Sequence, residues 1–108
     1  MIEVVFYKQN SVYKGFSISG HAGFASKGND IVCASVTSAV QLTINGICEI
    51  LKVMADVKVL DNQIVINLSN CNKGEIEKAQ AFFKAFYLHL DLLSQDYMGT
   101  LNLINLEV

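Results

Sequence analysis

The sequence predicts an α+β fold in which a mixed or antiparallel sheet packs against two long helices as a two-layer domain. Short stretches with alternating apolar and polar residues indicate strands, and two long stretches with an apolar residue every three or four positions indicate helices. Polar turns separate these stretches, and their order is β-β-α-β-β-α-β. A length of 108 residues predicts one domain, residues 1–108.

The first two strands are predicted over residues 2–8 and 13–19, where β-branched and aromatic residues are frequent. Gln9-Asn10-Ser11 between them is a turn signal, so we expect a hairpin. Residues 20–30 follow with three glycines and several small polar residues. Such a stretch has little to bury and predicts a mobile loop.

The first helix is predicted over residues 31 to about 55, because apolar residues recur there in steps of three and four. Asp30 stands where an N-cap belongs. A second hairpin is predicted from residues 57–60 and 64–68, which flank the polar segment Asp61-Asn62-Gln63. This hairpin completes the second pair of strands.

The second helix is predicted over residues 75–97, since its apolar residues keep helical spacing without a break. Gly99 ends it, and residues 100–108 form the last predicted strand. The apolar pattern of this strand changes phase at Leu103-Ile104. Either a β-bulge or a strand buried on both faces would produce that change.

Composition excludes several classes of protein. An apolar fraction of 52% does not belong to a disordered chain, and all eight basic residues are Lys in a chain of net charge -2, which argues against a nucleic-acid partner. Neither a signal peptide nor a membrane span is expected, and three Cys do not form a disulfide framework, so a reduced, cytoplasmic protein is predicted. The high apolar fraction also favours a homodimer face.

Candidate chemistry lies where the predicted loop enters the first helix. With Asp30 as N-cap, Cys33 occupies the third helical position, where the helix dipole favours a thiolate. The Asp30 carboxylate opposes this effect, so a neighbouring cation would matter. His21, twelve residues before Cys33, could supply that cation and later give a proton to a leaving amine.

Residue types alone also allow a purely structural interpretation. A Cys near a helix start is often a small apolar filler, and a single His beside a turn is often a hydrogen-bonding residue. Cys48 is expected in the core, Cys71 in an exposed turn, and His89 as a structural residue beside the core of the second helix. A third interpretation of the same residues is a small metal site made by His21, Cys33 and one further Cys.

The motifs Gly20-His21-Ala22 and, after a glycine-bearing gap, Gly28-Asn29-Asp30-Ile31-Val32-Cys33-Ala34 resemble the ribosomal-processing cysteine protease family Prp. The close resemblance spans about residues 15–55. It implies that Cys33 is the catalytic nucleophile and His21 its general acid and base, with Asp30 as a supporting residue. It also implies a hydroxyl one helical turn after the Cys, at Thr37 or its neighbour Ser38.

The resemblance further implies an endopeptidase that removes the N-terminal extension of large-subunit ribosomal protein twenty-seven by cutting after Phe. The resemblance implies a homodimer as well, and we predict no cofactor and no metal. The alternative to an enzyme is a non-enzymatic, dimeric, ribosome-associated binding protein. Family members carry a flexible lid over the active site, which here would consist of Ala22, Gly23, Phe24, Ala25, Ser26, Lys27, Gly28 and Asn29.

Overall fold

The computed structural model describes residues 1–20 and 27–108, with the backbone alone for residues 27–30. It confirms the predicted α+β fold and the order of its elements. The first hairpin and the second hairpin each precede one long helix, and a fifth strand follows the second helix. The elements are β1 (Ile2–Gln9), β2 (Val12–Ser19), α1 (Lys27–Asn45), a π-helical turn (Gly46–Ile50), β3 (Asp56–Leu60), β4 (Gln63–Asn67), α2 (Lys73–Asp96) and β5 (Leu101–Glu107).

The five strands form one mixed sheet in the order β3-β4-β2-β1-β5. The helix α2 carries the chain across the sheet, so β5 lies parallel to β1, whereas the other neighbours are antiparallel. Of the two explanations for the phase change in β5, the β-bulge does not hold, because the pairing of β5 with β1 runs without a shift. Leu103 and Ile104 lie on opposite faces of this edge strand and are both half-buried, which explains the change of apolar phase.

A β-bulge lies instead in the first hairpin. Gly15 pairs with Tyr7 and Tyr13 with Lys8, so Lys14 is the extra residue. In a regular strand, residues three positions apart point to opposite faces. The bulge instead places Tyr13 on the same helix-facing side as Phe16, and both are buried. A Cβ on Gly15 would clash with the Ile66 carbonyl oxygen, so this position requires glycine.

Aromatic rings join α2 to the first hairpin. The ring centroids of Phe16 and Phe86 are 4.7 Å apart, and Phe6 lies 5.8 Å from the same Phe86 ring. Phe83 meets Phe16 edge to face at 5.9 Å. Tilted and edge-to-face pairs at these distances add to the free energy of burial, so this cluster fixes α2 over β1 and β2.

The helix α1 begins four residues earlier than predicted, at Lys27. Asp30 therefore lies within the first turn, and its predicted role as N-cap is wrong; Lys27, Gly28 and Asn29 belong to the helix and not to the predicted loop. The prediction failed because the first periodic apolar residue marks where a helix meets the core, and the helix can extend beyond that point. Cys33 is consequently the seventh helical residue instead of the third.

The end of this helix also differs from the prediction. The helix passes into a π-helical turn and stops at Ile50, not near residue 55. Lys52 takes a left-handed conformation with φ 59°, and the Val53 N–H donates to the Ile47 carbonyl across it. Sequence analysis missed this end because glycine, the usual residue there, is absent.

The segment Ile31–Ile50 is long and apolar enough to cross a membrane, judged by length and composition alone. The sequence predicted no membrane span. In the folded chain, Val32, Val36, Val40 and Ile47 of this segment are buried in the core beneath the sheet. These buried residues lie on one face of the helix, and that face packs against the sheet.

Candidate active site

The end of β2 directs the chain toward the predicted catalytic histidine. Gly20 follows β2 with φ +83°, a conformation that favours glycine. A Cβ at this position would lie 2.5 Å from the Met1 carbonyl oxygen, so a larger residue would clash with the backbone just before β1. Gly20 therefore allows the chain to leave the sheet at a position where a larger residue would not fit, one residue before His21. His21 and the lid residues 22–26 lie outside the described residues.

Cys33 lines a groove of about 350 Å³ at this same end of the sheet. Its thiol is half-buried and is not part of a disulfide. The wall on the helix side comes from α1, and the opposite wall from the tip of the β3–β4 hairpin. The apolar side chains of the groove are Ile2, Ile18, Val36, Val59, Leu60 and Ile64. A half-buried thiol in an open groove with apolar side chains is accessible to a peptide chain.

The two candidate hydroxyls face different parts of the surface. Thr37, one helical turn after Cys33, lines the same groove as the thiol. Ser38 lines a separate groove of about 700 Å³ between α1 and α2. The geometry therefore brings Thr37, and not Ser38, together with Cys33.

Polar groups of the Cys33 groove lie mainly at its hairpin end. Asp61 and Asn62 form the turn of the β3–β4 hairpin and lie at the groove margin, while Ser19 lies at the end of β2. Asp61 supplies the only charge among the described residues that line the groove. Sequence analysis did not single out this turn, because a two-residue polar turn carries no signal beyond its role in a hairpin.

The other two cysteines lie elsewhere. Cys71 donates through its thiol to the Met54 carbonyl at 3.5 Å and lines a cavity that Cys33 does not share. Cys48 packs against the core and is half-buried, as is Cys71. Among the residues the structure describes, no three His, Cys, Asp or Glu side chains converge as a metal site requires.

The pKa of each of these two thiols is raised above its ordinary value. Burial raises the pKa of Cys48, and the Glu49 carboxylate adds to the rise, while the Ala55 N–H partly offsets it. Burial likewise raises the pKa of Cys71, followed by the charge of Glu75. A raised pKa lowers the thiolate fraction, and the thiolate is the reactive form.

His89 differs from its predicted place beside the core. It is exposed on α2 and lines the groove between the two helices. The same groove is bordered by Leu42 of α1, whose side chain is 70% exposed. The spacing of apolar residues along α2 gave no hint of this groove, because the groove depends on how far apart α1 and α2 pack.

Comparison with known proteins gives a family and a fold. The family model described as Cysteine protease Prp matches residues 1–102. A comparison with curated proteins gives no match.

Solved structures with the same fold include the SMU.848 protein of Streptococcus mutans, 25% identical, with a TM-score of 0.83 over 100% of this chain and 96% of that one. The ribosomal processing protease Prp of S. aureus, in complex with a covalently linked product peptide, is 22% identical with a TM-score of 0.84; 98% of this chain and 100% of that chain are covered. The same S. aureus protease with a substrate peptide gives a TM-score of 0.84 at 19% identity, with the same coverage.

We predict that iodoacetamide alkylates Cys48 and Cys71 more slowly in the folded protein than in the urea-unfolded chain at pH 7.5. Their raised pKa values leave less thiolate in the folded state, so the ratio of unfolded to folded rates should fall as pH rises toward 10. Peptide mapping by mass spectrometry at several pH values measures both rates. A ratio that stays constant with pH would show steric protection alone and contradict the electrostatic account.

Proposed function

The chain belongs to the family of the cysteine protease Prp, and on this premise we propose that it is an endopeptidase that removes the N-terminal extension of large-subunit ribosomal protein twenty-seven. The observation that carries the proposal is the position of Cys33 in an apolar groove at the end of β2, where the chain turns toward His21. The S. aureus Prp structures with substrate and product peptides support a peptide substrate.

The proposed reaction begins when the Cys33 thiolate attacks the carbonyl carbon of the scissile peptide bond. The resulting tetrahedral intermediate collapses as the C–N bond breaks, and the His21 imidazolium gives its proton to the leaving amine. An acyl-thioester remains on Cys33. His21, now neutral, takes a proton from water, whose oxygen attacks the thioester, releases the acid product and regenerates the thiolate.

Thr37 is the proposed donor to the oxyanion of the tetrahedral intermediate. Its hydroxyl lies one turn from Cys33 in the same groove. The backbone N–H of Cys33, which a helix start at Asp30 would have offered, is not used: in an α-helix the N–H of the seventh residue donates to the carbonyl four residues earlier. Asp30 keeps a proposed supporting role toward His21, by family resemblance.

The remaining parts of the proposal come from the family resemblance and the composition. Residues 22–26, the part of the predicted lid that precedes α1, form the lid, and cleavage follows Phe. The protein acts in the cytoplasm, where its thiol stays reduced. It forms a homodimer. The exposed side chains of Leu42, Leu88 and Leu92 on the helices support this state. Sedimentation equilibrium tests it, because the measured mass should be twice that of one chain.

Cleavage of a peptide from the precursor of ribosomal protein twenty-seven tests the proposed activity. The wild-type protein should cut the peptide once under reducing conditions, whereas Cys33→Ala should show no detectable cleavage and His21→Ala a rate lower by a factor of about 10³ or more. Cys71→Ala is the matched control and should cleave at the wild-type rate, because Cys71 lies in another cavity. Mass spectrometry of the products gives the cleavage site.

Equal cleavage by all four proteins, or none by the wild type, would contradict the protease assignment. Peptide binding without cleavage by the wild type would favour the non-enzymatic, ribosome-associated binding protein instead. The groove between α1 and α2, which lies apart from Cys33, offers that alternative a surface of its own.

A matched pair of substitutions tests the hydroxyl. Thr37→Val removes the hydroxyl from the Cys33 groove at nearly constant shape, so kcat should fall by a factor of about 10 to 100 with KM little changed. Ser38→Ala should leave both constants unchanged, since Ser38 faces the other groove. Steady-state kinetics on the precursor peptide measures both; a loss in Ser38→Ala with none in Thr37→Val would reverse the assignment.

A further inference from the structure

The strand β3 is an edge of the sheet, so one side of its backbone has no strand beside it. Its register with β4 pairs Leu60 with Gln63 across a two-residue turn, and Lys58 with Val65. The residues that flank such a turn exchange hydrogen bonds, and bonded pairs then alternate with non-bonded pairs along the hairpin. Leu60 and Lys58 therefore bond to β4, whereas the N–H and C=O groups of Val59, which lies between them, point away from the sheet.

A hydrogen bond on the other side of β4 gives the same alternation independently. Immediately after β4, the Leu68 N–H donates to the Lys14 carbonyl at 2.8 Å, toward β2. The two-residue period of the strand then directs the backbone of Ile64 to β2 as well and leaves Val65 to bond to β3. The outward direction of the Val59 backbone thus follows from both neighbours of β4.

The outward backbone groups of Val59 have no partner in the described parts of the chain. Among residues 1–20 and 27–108, β4 is the only strand beside β3, and no backbone hydrogen bond outside the sheet reaches Val59. The strand carries neither a proline nor a bulge, and its one lysine, Lys58, alternates to the face away from the helices. An edge of this kind is a template for a further extended chain.

This edge is continuous with the groove that holds the candidate nucleophile. Val59 lines the groove together with Cys33, whereas Val57, whose backbone also points outward, does not. A chain paired with β3 would lie about 4.8 Å from it and would direct alternate side chains to the helix-facing side, where the thiol lies. A peptide in the groove is therefore already beside the free backbone groups of Val59, and an extended peptide has the donors and acceptors that pair with them.

We infer that an extended segment of the substrate adds to the sheet at β3, accepting a hydrogen bond from the Val59 N–H and donating one to the Val59 carbonyl. The inference rests on the proposed protease function, since the added chain is the peptide that Cys33 attacks. Main-chain pairing does not depend on which side chains the peptide carries. It positions the peptide along the groove, whereas the bond-breaking step belongs to Cys33 and His21.

Proline at position 59 tests the pairing, because it removes the outward N–H and leaves the bonds to β4 in place. Val59→Pro should raise KM for the precursor peptide by a factor of about 3 to 10, the loss of one hydrogen bond, and change kcat less than twofold. Val57→Pro is the matched control and should keep the wild-type KM, because Val57 lies outside the groove. Val59→Thr keeps the N–H and should also behave as wild type; an equal rise of KM in this variant would assign the effect to the side chain and overturn the pairing.

Peptides with a single backbone N-methyl group test the same contact without changing the fold. Their affinity for the Cys33→Ala protein is measured by fluorescence anisotropy. Methylation of the one residue that donates to the Val59 carbonyl should weaken binding by a factor of about 10, whereas methylation of the residues on either side, whose N–H groups point away from β3, should change it little.

The outcomes separate the pairing from the protease function. The predicted N-methyl pattern without cleavage of the unmodified peptide by the wild type supports the pairing and contradicts only the protease function. Cleavage by the wild type, with equal effects of N-methylation at adjacent positions and an unchanged KM in Val59→Pro, would overturn the pairing and leave the protease function intact. A dimer that is lost in Val59→Pro while peptide affinity stays unchanged would assign the edge to a second copy of the chain and overturn the pairing as well.

Discussion

Ring packing between α2 and the β1–β2 hairpin is the interaction on which the rest of the structure depends. Phe16 contacts both Phe83 and Phe86, and Phe6 contacts Phe86 from the neighbouring strand. The bulge at Lys14 adds Tyr13 to the same cluster, 6.0 Å from Phe83. These contacts set the position of α2 over the middle of the sheet.

The position of α2 determines where α1 lies and what stays uncovered. Val32, Val36 and Val40 of α1 complete the core beside α2, and the helical layer ends before it reaches the tip of the β3–β4 hairpin. A groove remains between that tip and the N-terminal half of α1. Cys33 and Thr37 lie one helical turn apart and both line this groove, together with the buried Val36 of the same helix.

The order of elements was predictable because it depends on local apolar periodicity. The stretch from Ile76 to Leu90 keeps one buried face of α2, and the sequence shows it plainly. The boundaries of α1 were less accessible, because neither end coincides with its expected signal: Lys27 precedes the first core contact, and Lys52 replaces the usual glycine. Cys33 was singled out from its sequence motif and stays a prediction; the structure shows that it lines a groove.

The groove itself could not be predicted from local patterns. Val59 and Cys33 are 26 positions apart, and only the sheet register and the tilt of α1 bring them to one cavity. The choice between Thr37 and Ser38 has the same origin. Adjacent residues of a helix diverge by about 100°, so the position of the helix against the sheet decides which hydroxyl accompanies the thiol.

The central claim is that Cys33 is the one thiol placed to attack a peptide carbonyl. A peptidyl chloromethyl ketone with a terminal Phe tests it most directly, because attack forms a thioether and releases chloride. Intact-mass and peptide-mapping measurements should show one equivalent bound, located on Cys33, with none in Cys33→Ala and slower labelling in His21→Ala. Labelling of Cys48 or Cys71 at a comparable rate would contradict the account.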